Sequence, residues 1–358
     1  MKSILQKEAK SQATLVDPTR EVNSFEFLPS WTLQIPMVLI ALFWALRLGR
    51  LNFFSAVNPS MAFGGLFIYS KSEIMEKLAP SNRPQTLILK PNTQEDSILA
   101  QLKSLNMDFP LFAKPDLGER GRGVSKLNSP KELAAYLDHF ANETLLLQES
   151  ISLHQEYGVF VLKDPKTGKL QISSITAKIP LQVLGDGHSK VIELCKNHPR
   201  ASRYLHEIPS DLLEYVPEKG QIQKLSDYGN HCRGAAFIDQ REWISPEIIQ
   251  SFEQICAPLD GFYYGRLDVK VQELADLAHP EQIKVLEING ANSEPIHLYS
   301  SHFTYLEAIE ELINHIGYMA TIARINLRKT SAYPGILELI RNLKRYSQLQ
   351  KSSGHRGS

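Results

Sequence analysis

Alternation of polar and apolar positions is clearest in two segments of the C-terminal third. Gly265-Arg266-Leu267-Asp268-Val269-Lys270-Val271 and Ile283-Lys284-Val285-Leu286-Glu287-Ile288-Asn289 both show the period of two of a half-buried strand. If they pair antiparallel with Asp268 facing Glu287, the same register sets Arg266 opposite Asn289, and all four side chains share one face. Leu267, Val269, Leu286 and Ile288 then make the core-facing side. Either strand alone reads as a solvated polar face. Together they say more, because two carboxylates opposed across a sheet repel unless a cation lies between them. Carboxylate and amide oxygens suit a hard cation such as Mg²⁺, and a neighbouring arginine suits an anion that the cation also holds.

The remaining pattern mixes strands and helices without a regular βαβ rhythm. Strands are expected at Thr86–Leu89, Leu111–Pro115, Thr144–Gln148, Tyr157–Leu162, Leu170–Ala177 and Gln182–Leu184, with Pro165-Lys166-Thr167-Gly168 as a hairpin turn. Helices are expected at Ser70–Leu78, with Ser70 or Ser72 as N-cap, at Ser97–Leu105, and after Ser129-Pro130, where proline takes the first helical position. Others follow at Ser245–Leu259, Tyr305–Ile322 and Ile336–Ser347. The most apolar stretch, Ile35–Leu46, contains Pro36 and ends at Arg47. It is shorter than the roughly 20 residues a spanning helix needs, so a buried helix is expected rather than a membrane contact. A surface-lying membrane helix is the alternative.

The chain has 358 residues, enough for two or three domains. Its 39 basic and 39 acidic residues balance, so no global field recruits nucleic acid. Cys195, Cys232 and Cys256 have neither metal-ligand nor CxxC spacing, which fits a reducing cytoplasm better than a disulfide scaffold. The final Ser352–Ser358 run reads as a flexible or appended tail and is set aside.

A second chemical feature is Asp116-Leu117-Gly118-Glu119-Arg120-Gly121-Arg122-Gly123-Val124. Gly118, Gly121 and Gly123 allow a mobile hairpin loop whose N–H groups can close over phosphate oxygens. Val124-Ser125 stands where a Walker A loop needs Lys and Ser or Thr, and the dinucleotide fingerprint is also absent. Alone, the loop reads as an exposed turn; Lys114 at the preceding strand end gives it a phosphate-binding companion. Lys71 is a weaker candidate on a helix surface. Glu149 ends one strand and Glu156 begins the next.

The ordered set Lys71, Lys114 with its glycine loop, Glu149, Glu156, Arg266, Asp268, Glu287 and Asn289 resembles the ATP-grasp superfamily. D-alanine–D-alanine ligases have two glutamates at the same spacing, a Gly-Arg-Ile-Asp-Val strand where this chain has Gly265–Val269, and Leu-Glu-Ala-Asn where it has Leu286–Asn289. Gly185-Asp186-Gly187 with Glu193-Leu194 resembles a run in cyanophycin synthetase and related glutamate ligases. The resemblance covers roughly 65–300. It implies an α+β fold in which two subdomains clamp Mg-ATP. Residues 1–70 would form an arm and preATP-grasp region, 71–150 the small subdomain, 151–302 the large one, 303–350 a helical extension and 351–358 the tail.

By the same resemblance, Lys71 and Lys114 would hold the α- and β-phosphates under the loop Gly118–Val124. Glu149 with the backbone of Ser150 and Ile151 would meet adenine, and Glu156 the ribose. Lys178 would lie near the γ-phosphate. Asp268, Glu287 and Asn289 would bind one or two Mg²⁺ ions, with Mn²⁺ as a substitute, and Arg266 would stabilise the transferring phosphoryl group. The implied reaction is ligation of a small carboxylic acid to an amine or amino acid through an acyl phosphate, by a cytoplasmic protein that could be a homodimer. The chain lacks GxSxG, HExxH and protein-kinase signatures, as a reaction without a protein nucleophile allows. A carboxylate–thiol ligase, a small-molecule kinase and a non-catalytic ATP-binding regulator are the alternatives on this fold.

One departure bears on the substrate. After Asn289 the D-alanine ligases carry Ser-Pro-Gly-Met, whereas this chain has Gly290-Ala291-Asn292-Ser293-Glu294-Pro295-Ile296-His297. His231 and Arg233 are therefore candidate contacts for the acid, and Glu294 or His297 for the nucleophile; a structural loop is the competing reading. His188 beside Asp186-Gly187 invites a phosphohistidine role as in ATP-grasp acyl-CoA synthetases, but reads better as a turn residue.

Overall fold

A computed structural model describes residues 17–29, 31–118, 122–329, 333–335 and 337–344. Strands β1 (Thr86–Leu89), β2 (Leu111–Pro115), β3 (Ser125–Leu127) and β4 (Leu145–Glu149) form an antiparallel sheet ordered β1-β4-β2-β3. The helices Glu95–Ser104 and Pro130–His139 supply the rest of its core, through Ile98, Leu102, Leu133 and Tyr136 against Leu87, Leu111 and Leu147. Ser129 caps the second of these helices by accepting from the Glu132 N–H, as its Ser-Pro start predicts.

A larger sheet is built from β5 (Gln155–Lys163), β6 (Leu170–Ile179), β9 (Ala236–Asp239), β10 (Tyr264–Val271) and β11 (Lys284–Asn289), in the order β11-β10-β5-β6-β9. The hairpin Asp164–Lys169 joins β5 to β6, with the Asp164 carboxylate accepting from the Lys166 and Thr167 N–H groups. Between β6 and β9 the chain makes β7 (Gln182–Leu184) and β8 (Ile222–Lys224), which pair with each other.

Two compact units result. Among the described residues, one holds 17–27, Lys178–Ile238 and Tyr299–Thr304, and the other the rest. The boundary thus falls within β6 and β9.

The smaller unit has its own core of Leu181, Val183, Val191, Cys195, Ala201 and Leu225. Its polar interior is dominated by the N-terminal arm. Asp17 accepts from the Thr19 N–H and hydroxyl and faces His198 at 3.1 Å. Glu26 pairs with Arg200, including a 2.7 Å contact, and with His231 at 3.0 Å. Burial works against the Glu26 carboxylate, but His231 and Arg200 outweigh it and hold it below its ordinary range. Gly185-Asp186-Gly187-His188 is a turn: Asp186 accepts from the N–H groups of His188 and Ser189, which holds its carboxyl down to about 2. Its geometry is that of a turn residue at position 188.

The apolar run forms the helix Trp31–Leu48, and the expectation that it is buried is corrected. Met37, Ile40, Ala41, Trp44, Ala45 and Leu48 pack into a cluster with the Tyr305–Lys329 helix, yet Ala45 alone in the helix is fully buried. The opposite face is exposed and apolar. A helix that is hydrophobic all round cannot tell, from sequence, which side its fold will cover.

Candidate functional site

Strand β10 runs antiparallel to β5 on one side and β11 on the other. The register places Arg266 opposite Asn289 and Asp268 opposite Glu287, as the alternation predicts. It then slips: Val269 pairs with Val285, and Leu286 is left as a bulge. The expected core set is therefore corrected at one position. Leu267, Val269 and Ile288 are fully buried, but Val285 joins them where Leu286 was expected. The bulge frees the Leu286 carbonyl from the ladder, and the Lys114 Nζ donates to it at 3.2 Å.

Arg266 grips Asp268 with two donors, Nε to Oδ1 at 2.7 Å and Nη2 to Oδ2 at 3.2 Å, while its Nη1 reaches the Glu294 carbonyl at 3.2 Å. Burial disfavours the charge of Arg266, but Asp268 overrides this and raises its already high pKa. The Asn289 amide donates to Asp268 at 3.3 Å and accepts from the Tyr69 hydroxyl at 3.2 Å.

Lys71 enters from a short helix, Lys71–Met75, whose N-cap is Ser70. Asp116 holds that helix in place: it accepts from the Ser70 hydroxyl at 2.7 Å and from the Ser72 N–H at 2.8 Å. The Lys71 ammonium then donates to the Gly118 carbonyl and lies 3.9 Å from Glu287. Lys114, at the end of β2, is buried beside it. Desolvation is the largest influence on Lys114; with Lys71 opposing and Glu287 and Asp268 assisting the charged form, its pKa falls to about 8.

Three cations, Lys71, Lys114 and Arg266, thus meet Asp268, Glu287 and Asn289 on one face. The opposing charges are satisfied within the protein, so an anion and a cation can be accepted together by exchange of partners. Asp268, Glu287 and Asn289 offer hard oxygen donors, a set that fits Mg²⁺ rather than a thiophilic metal. Among the described residues there is no cluster of three His, Cys, Asp or Glu side chains able to hold a metal without the amide.

The other sequence candidates have these places. Gly118 borders Lys71; Gly121 lies outside the described residues. Gly123 takes a left-handed conformation (φ +70°) that brings its α-carbon against Pro115 and Phe140, and Val124 follows it. Glu149 accepts from the Gln85 N–H at 2.9 Å; Ser150 follows, and the Ile151 carbonyl accepts from Lys270 at 3.2 Å. Glu156 is opposite Lys270 in the β5–β10 ladder. Lys178 lies in β6 at the first residue of the smaller unit's central segment, and is buried. His231 is engaged with Glu26, and Arg233 with Glu207 at 2.7 Å, all within the smaller unit. Glu294 supports Arg266 through its backbone, and His297 is fully buried, 3.1 Å from Glu311.

Three residues that shape the site were not singled out by sequence. Gly158 lies opposite Asp268; a β-carbon there would meet Ile296 Cδ1 at 2.8 Å and Arg266 Cδ at 3.0 Å. A glycine inside the apolar run Tyr157–Leu162 was the available signal. Asp116 and Tyr69 act through tertiary contacts and left none.

No family model matches the chain, and no curated protein does. Among solved structures it is similar to a bifunctional glutathione synthetase from Pasteurella multocida, at 18% identity and a TM-score of 0.39, over 69% of this chain and 35% of that one. It is similar to the VanG D-Ala:D-Ser ligase of Enterococcus faecalis at 14% identity and a TM-score of 0.41, over 71% and 61% of the two chains. For the D-alanine–D-alanine ligase of Bacillus anthracis the figures are 14%, 0.41, 73% and 68%. The chain thus spans less than two thirds of the length of the first two proteins.

Proposed function

We propose that the protein is an ATP-dependent carboxylate–amine ligase of the ATP-grasp type. The observation that carries this is the meeting of Lys71, Lys114 and Arg266 with Asp268, Glu287 and Asn289, drawn from four separate elements onto one face. The ordered motifs of the sequence support it independently.

In the proposed reaction an oxygen of the acid attacks the γ-phosphorus of ATP, the bond to the β-phosphate oxygen breaks, and ADP leaves. The amine then attacks the acyl carbon, phosphate departs with the electron pair of its C–O bond, and the amine proton passes to solvent. Neither step needs a protein nucleophile; positioning and compensation of developing charge suffice. Lys114, fixed by the bulge carbonyl, and Lys71, fixed through Asp116, would hold phosphate oxygens. Arg266 is oriented from both ends, by Asp268 and the Glu294 carbonyl, so its planar group is set before the substrate arrives. Asp268, Glu287 and Asn289 would hold Mg²⁺, which when bound neutralises phosphate charge.

The test is ADP formation against a panel of carboxylic acids, amines and amino acids. Phosphate release that requires both an acid and an amine is the expected result; phosphate retained on a product would mark a kinase instead. Glu287→Gln should lose turnover while keeping measurable ATP binding. Full activity in that variant would overturn the metal assignment.

A further inference from the structure

On the helix Trp31–Leu48 the exposed positions are Trp31, Gln34, Ile35, Val38, Leu39, Leu42, Phe43, Leu46 and Arg47, the spacing of a single helical face. Val38, Leu39 and Leu46 are 63%, 62% and 70% exposed. Leu28 and Leu51 extend the stripe at its two ends. A continuous apolar surface of this kind marks an interaction site rather than ordinary exposure. We infer that this face docks, in plane, on an anionic phospholipid bilayer.

Charge selects this occupant. No acidic residue occurs between Leu28 and Leu51, while Arg47 lies on the stripe and Arg50 follows it. The Tyr305 hydroxyl donates to the Thr32 carbonyl, so the starts of the two long helices lie together. Their other ends lie together as well, since Leu48 shares a core cluster with Ile322, Ala323 and Leu327, and Arg50 donates to the Tyr333 carbonyl. Arg324, Arg328 and Lys329 therefore join Arg47 and Arg50 at one end. Lys329 donates to the Pro165 carbonyl and draws in the hairpin that carries Lys163, Lys166 and Lys169. Asp164, the acidic residue of that hairpin, is occupied in its own turn. An apolar stripe with a basic end suits acyl chains beside phosphate headgroups, and Trp31 is an aromatic suited to the boundary between them.

A second copy of the chain fits less well. Helices packed antiparallel would set Arg47 near the other copy's Trp31 and Thr32, and parallel packing would oppose arginine to arginine; neither pairs the charge. Spanning also fits less well: the helix is long and apolar enough to cross, but its inner face packs in a cluster with the Tyr305–Lys329 helix.

The experiment is co-sedimentation of the full chain with vesicles of phosphatidylcholine alone or mixed equally with phosphatidylglycerol, together with its mass in solution. The mixed vesicles should bind it about tenfold more tightly, less so at high salt. Val38→Glu with Leu42→Glu, both at exposed positions, should abolish binding while thermal unfolding stays cooperative. Arg47→Glu should reduce the preference for the anionic vesicles. No binding to either vesicle, or undiminished binding of the double variant, overturns the inference. So does a dimer that the double variant dissociates and that ignores vesicles.

Discussion

Replacing Lys114 by methionine separates what the ammonium does for the fold from what it does for a ligand. Its pKa falls from 10.5 to about 8. At about 1.36 kcal/mol per pH unit, the buried charge costs the folded state about 3 kcal/mol wherever both folded and unfolded chains are protonated. Methionine fills a similar volume without that cost. It also leaves the Leu286 carbonyl without the donor at 3.2 Å, a loss of about 1–2 kcal/mol. Near pH 7 the variant should therefore be about 1–2 kcal/mol more stable than the parent.

Between about pH 8 and 10.5 the parent's lysine is deprotonated when folded and still protonated when unfolded. The unfolded state then binds more protons, so parent stability rises with pH and the difference should shrink and change sign. Nucleotide affinity should meanwhile fall about 10- to 100-fold, the worth of one charge-assisted contact. Urea unfolding of both proteins from pH 7 to pH 10.5 reads the first effect, and nucleotide titration the second. A stability difference that does not change with pH would refute the burial argument for Lys114.

Gly158→Ala places a β-carbon 3.0 Å from Arg266 Cδ, so the guanidinium must move; turnover should drop at least about tenfold with a far smaller change in melting temperature, and unchanged turnover would count against Arg266's role. Arg200→Ala leaves Glu26 buried without its main partner and should destabilise the smaller unit by about 3–5 kcal/mol, seen as selective loss of hydrogen-exchange protection in 178–238.

Much of the site was legible because strand alternation is a local property. Arg266, Asp268, Glu287 and Asn289 show their shared face once the two alternating strands are paired, and the caps at Ser70 and Ser129 follow from serine chemistry. The slip at Leu286 was hidden because Val285 and Leu286 are both apolar, so a change of phase between them leaves no mark. The helix expected over Ser70–Leu78 stops at Met75, and the one expected over Tyr305–Ile322 runs on to Lys329, packed by contacts that periodicity does not report. The turn at Gly290 was unreadable for a similar reason. Its backbone lies against Gly64 and Gly65, from more than two hundred residues upstream, with the Ala291 and Asn292 N–H groups donating to their carbonyls.

The extra residue in β11 also constrains how this chain can change its length. Glycine-free connections such as 272–283 can gain or lose residues while both strands keep their pairing. Within Lys284–Asn289 a single deletion cannot be absorbed so quietly. Removing Leu286 would restore unbroken alternation and leave Val285 inward and Glu287 outward. What would be lost is the free carbonyl at the bulge, to which the Lys114 Nζ donates at 3.2 Å. Length variation among related chains should therefore collect in the connection and spare those six positions.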